Sequence, residues 1–290
     1  MKLVGECLGC FLLLNNSKIK SKFMRVILCL SISLIAFATA NAQPLNDILD
    51  RKVIQEKPVL KYPSLRENDL MWEKRIWRVI DVREKMNQVF AYPNASLFEI
   101  MVNASKEGAI ELYSTEDDAF SRALTASEVN QVMSSTDTVE VFDPITYVSE
   151  LRVVFNKINP EDIKRYRLKE IWYFDSHTST MKNRILGIAP MKDVYDESGN
   201  FLYEKPLFWM HYPSARDVLA REVVFNRGND GSRMTWEDLL EMRMFSSHVY
   251  KESNIGDSRL QDHYSGLDLL LQADKINQEL FNYEQDVWSY

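Results

Sequence analysis

RLKEIWYF at residues 167–174, the polar segment DSHTST at 175–180 and RILGIA at 184–189 form the stretch that best predicts the fold class. Two runs rich in β-branched and aromatic residues flank a segment of turn-forming residues. This arrangement is typical of a β-hairpin, because such side chains fit a pleated surface and short polar residues suit the turn. We therefore expect two antiparallel strands here.

A second hairpin is predicted directly downstream. Val194-Tyr195 and residues 201–203 flank a polar turn at 196–200, and the apolar run at 206–212 continues as a strand. An antiparallel meander with helical segments around it predicts the α+β class. The predicted architecture is antiparallel sheet hairpins with flanking helices on one face, an extended N-terminal arm and a C-terminal helix.

The segment DLMWEKRIWRVIDVREKMNQVFAYP at residues 69–93 predicts a helix followed by a strand. Ser64-Leu-Arg-Glu67 has the spacing of a capping box, so a short helix is expected to carry Leu70, Met71 and Trp72 inward. The β-branched and aromatic residues of 76–81 favour a strand.

Several features recur in the same order along the chain. Each series has an Ile-Trp pair with a methionine nine residues after the tryptophan, then Tyr-Pro opening a helix, then a threonine cap with an acidic residue three positions later. The series are Ile76-Trp77, Met86, Tyr92-Pro93, Thr125 and Glu128, and Ile171-Trp172, Met181, Tyr212-Pro213, Thr235 and Asp238. Two related α+β units at 67–140 and 145–250 are one interpretation. Coincidence among common cap and turn residues is the other.

Residues 251–290 are predicted to form a helical tail, with the helix running from about Ser265 to Trp288. Leu267, Leu270 and Leu271 form one apolar cluster. A second face is apolar at spacings of four, three and four residues; its members are Ile276, Leu280, Tyr283 and Val287. This face can dock on its own domain or in a groove of another subunit.

Residues 1–42 have the pattern of a cleavable signal peptide. A basic start at Met24-Arg25 precedes an apolar run at 26–38 and the small-residue site Ala40-Asn-Ala42. The run is shorter than the roughly 20 residues that a spanning helix needs. Translation from Met1 and from Met24 are both compatible with this leader. Residues 43–66 contain three prolines and are predicted to form an extended arm, which is a loose linker or docks on a neighbouring subunit.

Charge and cysteine content narrow the possible functions. The three cysteines all lie in the leader, so the mature chain has neither a disulfide nor a cysteine nucleophile. The chain has 35 basic and 42 acidic residues, of which five and one lie in the leader, so the mature net charge is −11. This balance argues against a nucleic-acid partner.

No catalytic, cofactor-binding or metal-binding site is predicted. The sequence contains no glycine-rich phosphate loop, no G-x-S-x-G and no H-E-x-x-H. A site built from Asp175, His177, His211 and Asp262 can be drawn, yet their spacing does not require it, and the other histidines, His248 and His263, flank a polar loop. The acidic turn at 193–200 lacks the alternating oxygen ligands and the glycine of a calcium loop.

Tryptophan and arginine are interleaved at the start of the folded part of the chain. Trp72 and Trp77 alternate with Arg75, Arg78 and Arg83. Both residue types contribute strongly to binding at protein interfaces. We expect partner-binding residues at Trp72, Arg75, Trp77, Arg78, Ile276, Leu280, Tyr283 and Val287. The alternative is that both tryptophans belong to the core and the arginines to a solvated face.

The residues from Trp72 to Asp81, WEKRIWRVID, with EKMN at 84–87, resemble the GldN/PorN family, and the resemblance extends from about Gln43 to Tyr290. It implies a periplasmic component of the Bacteroidetes type IX secretion and gliding-motility apparatus, with no enzymatic activity. It also implies a multi-copy, ring-like assembly with a GldK/PorK-type outer-membrane lipoprotein and contact with a GldM/PorM-type motor component. A secreted hydrolase, or a periplasmic module that binds a small ligand, are the alternatives from other functional classes.

Overall fold

The computed structural model describes residues 57–93, 96–142, 149–196, 200–229 and 231–288, with the backbone alone at 135–142, 149–157, 284 and 288. Residues 1–56 lie outside this part of the chain, so the signal peptide and the first residues of the arm stay predictions. Among the described helices, none has an apolar stretch long enough to cross a membrane.

The first half of the described chain contributes one long strand, two helices and several shorter strands. They are β1 (Leu70–Asp81), α1 (Leu97–Lys106), β2 (Leu112–Tyr113), α2 (Ala126–Met133), β3 (Ser134–Phe142) and β4 (Ser149–Lys157). Short 3-10 turns lie at Glu67–Asp69, Gln88–Ala91 and Pro160–Asp162.

The second half contributes the longest strands and the C-terminal helix. They are β5 (Ile163–Asp175), β6 (Thr180–Tyr195), β7 (Phe201–Pro206), β8 (Trp209–His211), α3 (Tyr212–Leu219), β9 (Val223–Val224), β10 (Met234–Thr235), α4 (Trp236–Glu241), β11 (His248–Glu252) and α5 (Gly266–Trp288). A 3-10 turn at Leu260–Asp262 precedes α5.

One antiparallel sheet organises the described domain. Its strands follow the order β11-β1-β5-β6-β8-β2, and β7 pairs with β6. The predicted hairpin at 167–189 is confirmed as β5 and β6, with Asp175 opposite Thr180 at the turn. There the Asp175 carboxylate accepts hydrogen bonds from the Lys182 ammonium at 2.7 Å and the His177 backbone N–H at 3.0 Å. The Lys182 hydrogen bond is the main reason that the pKa of Asp175 is lowered to about 2.

The second predicted hairpin is also confirmed, as β6 and β7. Val194 pairs with Tyr203, and Tyr195 pairs with Phe201. The apolar run at 206–212 is a strand only at Trp209–His211, because Pro206 ends β7 and Tyr212 begins α3. Tyr212-Pro213 therefore opens a helix as predicted.

The short helix predicted after Ser64 is wrong. The capping-box spacing leads only to the 3-10 turn at Glu67–Asp69, and Leu70 already belongs to β1. β1 pairs with β5 from Leu70 to Asp81, so backbone pairing along the whole strand outweighs a local helix signal. As a consequence, Met71 is exposed instead of pointing inward.

The helices α1 to α4 contribute to a core on one face of the sheet. Ile80, Leu168, Ile188 and Met210 come from four strands and belong to the same buried cluster as side chains of these helices. The helical members of the cluster include Leu97, Met101, Val129, Leu219 and Trp236. The predicted threonine caps are confirmed, since Thr125 with Glu128 and Thr235 with Asp238 both form capping boxes.

The two predicted units, 67–140 and 145–250, contribute strands to the same sheet. The described residues, from 57 onward, belong to one compact unit. β1 from the first predicted unit lies between β5 and β11, and β2 pairs with β8. The predicted boundary falls between β3 and β4, which pair with each other along nine residues. The predicted tail at 251–290 likewise begins within β11, an edge strand of the main sheet.

Candidate partner-binding surfaces

The predicted apolar face of α5 packs against the chain's own sheet. Ile276 and Leu280 are 6% and 5% exposed and share a buried cluster with Ile76 of β1 and Val249 of β11. Nearer the end of the helix, the Tyr283 ring stacks on Trp72, with ring centroids 4.8 Å apart. Of the two interpretations of this face, the structure therefore shows docking on its own domain.

A buried charge network joins the same helix to the sheet. The carboxylate of Glu170, 0% exposed, lies 3.2 Å from Arg78 Nε and accepts a hydrogen bond from Arg243 Nη1 at 2.8 Å. The Arg78 contact is an ion pair, and Arg78 Nε makes no hydrogen bond within the described residues. Arg78 Nη2 donates to Asn277 Oδ1 of α5 at 2.7 Å. Burial lowers the pKa of Arg78, and the charge of Glu170 opposes that shift.

Arg75 and Trp77 lie on the opposite face of the sheet from Ile76 and Arg78, because side chains alternate along a strand. Trp77 is 6% exposed and belongs to a separate small cluster with Ala189 and Trp209. Arg75 is exposed. The predicted cluster of tryptophan and arginine is thus divided between two surfaces.

The eight predicted partner-binding residues differ widely in exposure. The four buried residues are Trp77, Arg78, Ile276 and Leu280. The three half-buried residues are Trp72, Tyr283 and Val287, and the one exposed residue is Arg75. Arg83, which the sequence placed with them, pairs with Asp81 at the end of β1. Their role in binding a partner stays a prediction.

Large apolar side chains are exposed elsewhere on the surface. On α5 they are Leu267, Leu270, Leu271 and Phe281, and at the β6–β7 hairpin they are Tyr195, Phe201, Leu202 and Tyr203. The sequence identified the leucine cluster as apolar without assigning it to a surface. Exposed apolar groups of this size mark interaction sites more often than isolated ones do.

The described part of the arm contacts its own domain. The Tyr62 ring centroid lies 4.1 Å from Arg216 Cζ and 4.8 Å from Arg184 Cζ. The Tyr62 hydroxyl donates to Glu241 Oε1 at 2.5 Å, and Lys57 forms an ion pair with Asp238. Burial raises the pKa of the Tyr62 hydroxyl. Residues 57–63 therefore differ from both the loose linker and the neighbour-docked arm that the sequence suggested.

Replacing Tyr62 by alanine is expected to lower the free energy of unfolding by about 1–2 kcal/mol, because a cation–π contact and a charge-assisted hydrogen bond are lost. Leu60→Ala is the matched control: Leu60 is 83% exposed, so its truncation is expected to change stability by less than about 0.5 kcal/mol. Urea unfolding measures both. Equal stabilities of the two variants would show that the arm contributes nothing to the fold.

A family model described as gliding motility associated protein GldN matches residues 65–289. The chain belongs to the GldN family. The match spans every helix and strand described above. It begins just before the 3-10 turn at Glu67–Asp69 and ends after α5. A comparison of this GldN-family chain with curated proteins finds no match.

The histidines of this GldN-family chain do not assemble the hydrolytic site that the sequence allowed. His177 lies in the β5–β6 turn, while His211 pairs with Gly187, seven residues along β6 from Thr180 at that turn. Seven residues of strand span about 23 Å. Within the described residues, no group of three or more histidine, cysteine, aspartate or glutamate side chains could hold a metal ion.

The other alternative, a small-ligand module, requires an enclosed apolar pocket with a few convergent polar groups. The cleft of about 650 Å³ beside Trp77 instead opens to solvent and has charged side chains along most of its lining. Its basic members, Arg167, Lys169, Lys251 and Arg259, come from two strands and a loop that the sequence gave no reason to combine.

Proposed function

We propose that the chain is a periplasmic scaffold subunit of the type IX protein secretion and gliding-motility apparatus and catalyses no reaction. In this proposal it is exported by a cleavable signal peptide and assembles in many copies, with a GldK/PorK-type outer-membrane lipoprotein, into a ring-like complex. It also contacts a GldM/PorM-type motor component. The observation that carries the proposal is the GldN family match along residues 65–289.

The way in which α5 is attached supports a role in transmitting force. Apolar packing of Ile276 and Leu280, the Trp72–Tyr283 stack and the Arg78–Asn277 hydrogen bond hold the helix at separate points along its length. Its other side presents the exposed leucines at 267, 270 and 271. A helix fixed on one side and apolar on the other suits a scaffold that a partner covers.

The test is affinity purification of the tagged chain from membrane extracts of the parent bacterium, followed by identification of the proteins that accompany it. The wild-type chain is expected to recover the lipoprotein and the motor component. The double variant Leu270→Glu and Leu271→Glu is expected to recover at least one of them about tenfold less well, because charge is introduced into an apolar contact.

Gln278→Glu with Gln285→Glu is the matched control. Both glutamines are exposed on α5, so this variant adds the same charge to the same helix without altering the leucines. We expect wild-type recovery. A wild-type chain that recovers neither protein would contradict the proposed function. If both double variants recover their partners equally poorly, the leucines do not form the contact.

A further inference from the structure

The side of α5 that is turned away from the sheet carries a regular row of exposed residues, which we call the outer seam. Its members follow one another at spacings of four, three, four, three and four residues: Leu267, Leu271, Asp274, Gln278, Phe281 and Gln285. The buried face with Ile276 and Leu280 lies about half a turn away around the helix. Leu270 is also exposed and widens the apolar start of the outer seam.

The spacing of the outer seam matches a helix as its occupant. Alternating steps of four and three residues are the pattern along which one α-helix packs on another. A strand repeats every two residues and does not follow such a row. The row covers residues 267–285 on one continuous helix, which is ~27 Å of helix length. An amphipathic helix of similar length can therefore lie along it, in the manner of other helix-in-groove contacts.

The charge of α5 favours a basic helix. Its 23 residues contain five acidic side chains and one basic one, which gives a net charge of −4. Asp274 lies in the middle of the outer seam, and Asp268, Glu279 and Asp286 follow one flank of it. The one cation, Lys275, lies 3.9 Å from Glu279. A covering helix removes the Asp274 carboxylate from water, which is costly unless a cation pairs with it.

A second copy of α5 matches this surface less well. In a parallel pair of copies, Asp274 of one helix faces Asp274 of the other. In an antiparallel pair, the Asp268 end of each helix lies beside the Asp286 end of its neighbour. Both arrangements bring a net charge of −4 against a net charge of −4, and like charges across an interface disfavour association. The complementary partner is therefore a helix of the opposite sign.

We propose that the outer seam of α5 binds a basic amphipathic helix of a partner protein. Apolar side chains of that helix pack on Leu267, Leu271 and Phe281, and a lysine or arginine near its middle pairs with Asp274. The inference rests on the proposed function for its setting, a partner that covers α5, and adds the shape and charge of the covering segment. It also agrees with the wild-type recovery expected of Gln278→Glu with Gln285→Glu, because a basic helix tolerates added carboxylates.

The experiment measures the fluorescence anisotropy of a labelled synthetic peptide of about three heptads. The peptide has leucine at its seam positions, one lysine at the central seam position, and lysine and glutamine elsewhere, and it is kept below the concentration at which it self-associates. The mature full-length chain is titrated into it at physiological salt, where long-range attraction is screened. A peptide of the same composition with its leucines spread around the helix is expected to bind at least about tenfold more weakly.

Two single variants separate the apolar and the charged parts of the contact. Leu271→Ala is expected to weaken binding about tenfold. Leu202→Ala on β7 is its control, because Leu202 and Leu271 are 55% and 57% exposed. Asp274→Asn is expected to weaken binding about fivefold. Asp217→Asn on α3 is its control, because it removes the same charge from another exposed helical position. Both controls are expected to bind like the wild type.

A charge exchange tests the pairing at Asp274 directly. Asp274→Lys is expected to lose most of its affinity for the basic peptide. It should regain that affinity at least in part with a peptide whose central lysine is replaced by glutamate, because the two charges have only changed places. The wild-type chain is expected to bind that second peptide more weakly than the first. No regain by Asp274→Lys would overturn the assignment of a cation to this position.

The remaining outcomes are equally decisive. Equal binding of the two leucine arrangements, or equal effects within either variant pair, would overturn the proposal. A wild-type chain that sediments as a dimer, which Leu271→Ala dissociates, and that binds no peptide would overturn it in favour of a second copy. A chain that recovers the lipoprotein and the motor component but binds no basic peptide leaves the proposed function standing while this inference fails. Peptide binding with neither protein recovered has the reverse meaning.

Discussion

Replacing Glu170 by alanine is expected to lower the free energy of unfolding by about 3–5 kcal/mol, because it leaves a buried guanidinium without its counter-ion. That guanidinium belongs to Arg78, which is buried. The Glu170 carboxylate also accepts hydrogen bonds from Arg243 at 2.8 Å and from the Trp172 indole at 3.1 Å, and both are lost in the variant. Urea unfolding of the mature chain, followed by circular dichroism, measures the change.

Glu161→Ala is the control for Glu170→Ala, since Glu161 is an exposed glutamate at the turn before β5. Its stability is expected to stay within about 0.5 kcal/mol of the wild type. Glu170→Gln should fall between the two, because the amide keeps an acceptor for Arg243 but loses the charge. A loss below about 1 kcal/mol for Glu170→Ala would contradict the network as described.

Truncating either of two buried residues of α5, by Ile276→Ala or Leu280→Ala, is expected to cost about 2–5 kcal/mol, because each change leaves a cavity between the helix and the sheet. Thermal and urea unfolding of the isolated mature chain measure the cost. The isolated chain is the essential material, since a residue that serves only a partner has no effect on stability when that partner is absent.

Leu270→Ala is the control on the same helix. Leu270 is 56% exposed, so the same chemical change is expected to alter stability by less than about 0.5 kcal/mol. If Leu280→Ala and Leu270→Ala have equally small effects, the packing of α5 on β1 and β11 is not part of the stable fold. The face at 276–287 would then be free for another subunit.

The features that the sequence predicted well are local. The β5–β6 hairpin follows from two strand-forming runs around a polar turn, and the caps at Thr125 and Thr235 depend on residues three positions apart. The C-terminal helix begins at Gly266, one residue from its predicted start. Each of these signals lies within the element that it specifies, so no distant contact has to be known.

Features that depend on distant pairing were missed. The helix predicted after Ser64 failed because β5, about 100 residues later, pairs with that segment. The cleft beside Trp77 combines Trp77, Lys169 and Lys251, which only sheet order brings side by side. One further signal was present in the sequence: the two-residue period of a strand separates Arg75 and Trp77 from Arg78. It predicts two surfaces for that cluster once β1 is recognised as a strand.

The position of β1 affects how the chain reaches its native state. Residue 76 pairs with residue 170 on one side and with residue 252 on the other. β1 therefore gains its second neighbouring strand only when the last fifth of the chain is available. Pairing across such distances slows folding, because a long loop must be ordered before the contact forms. Until then β1 presents an unpaired edge, to which a strand of another molecule can add. A chain released before residue 252 is therefore an aggregation hazard as well as an incomplete subunit.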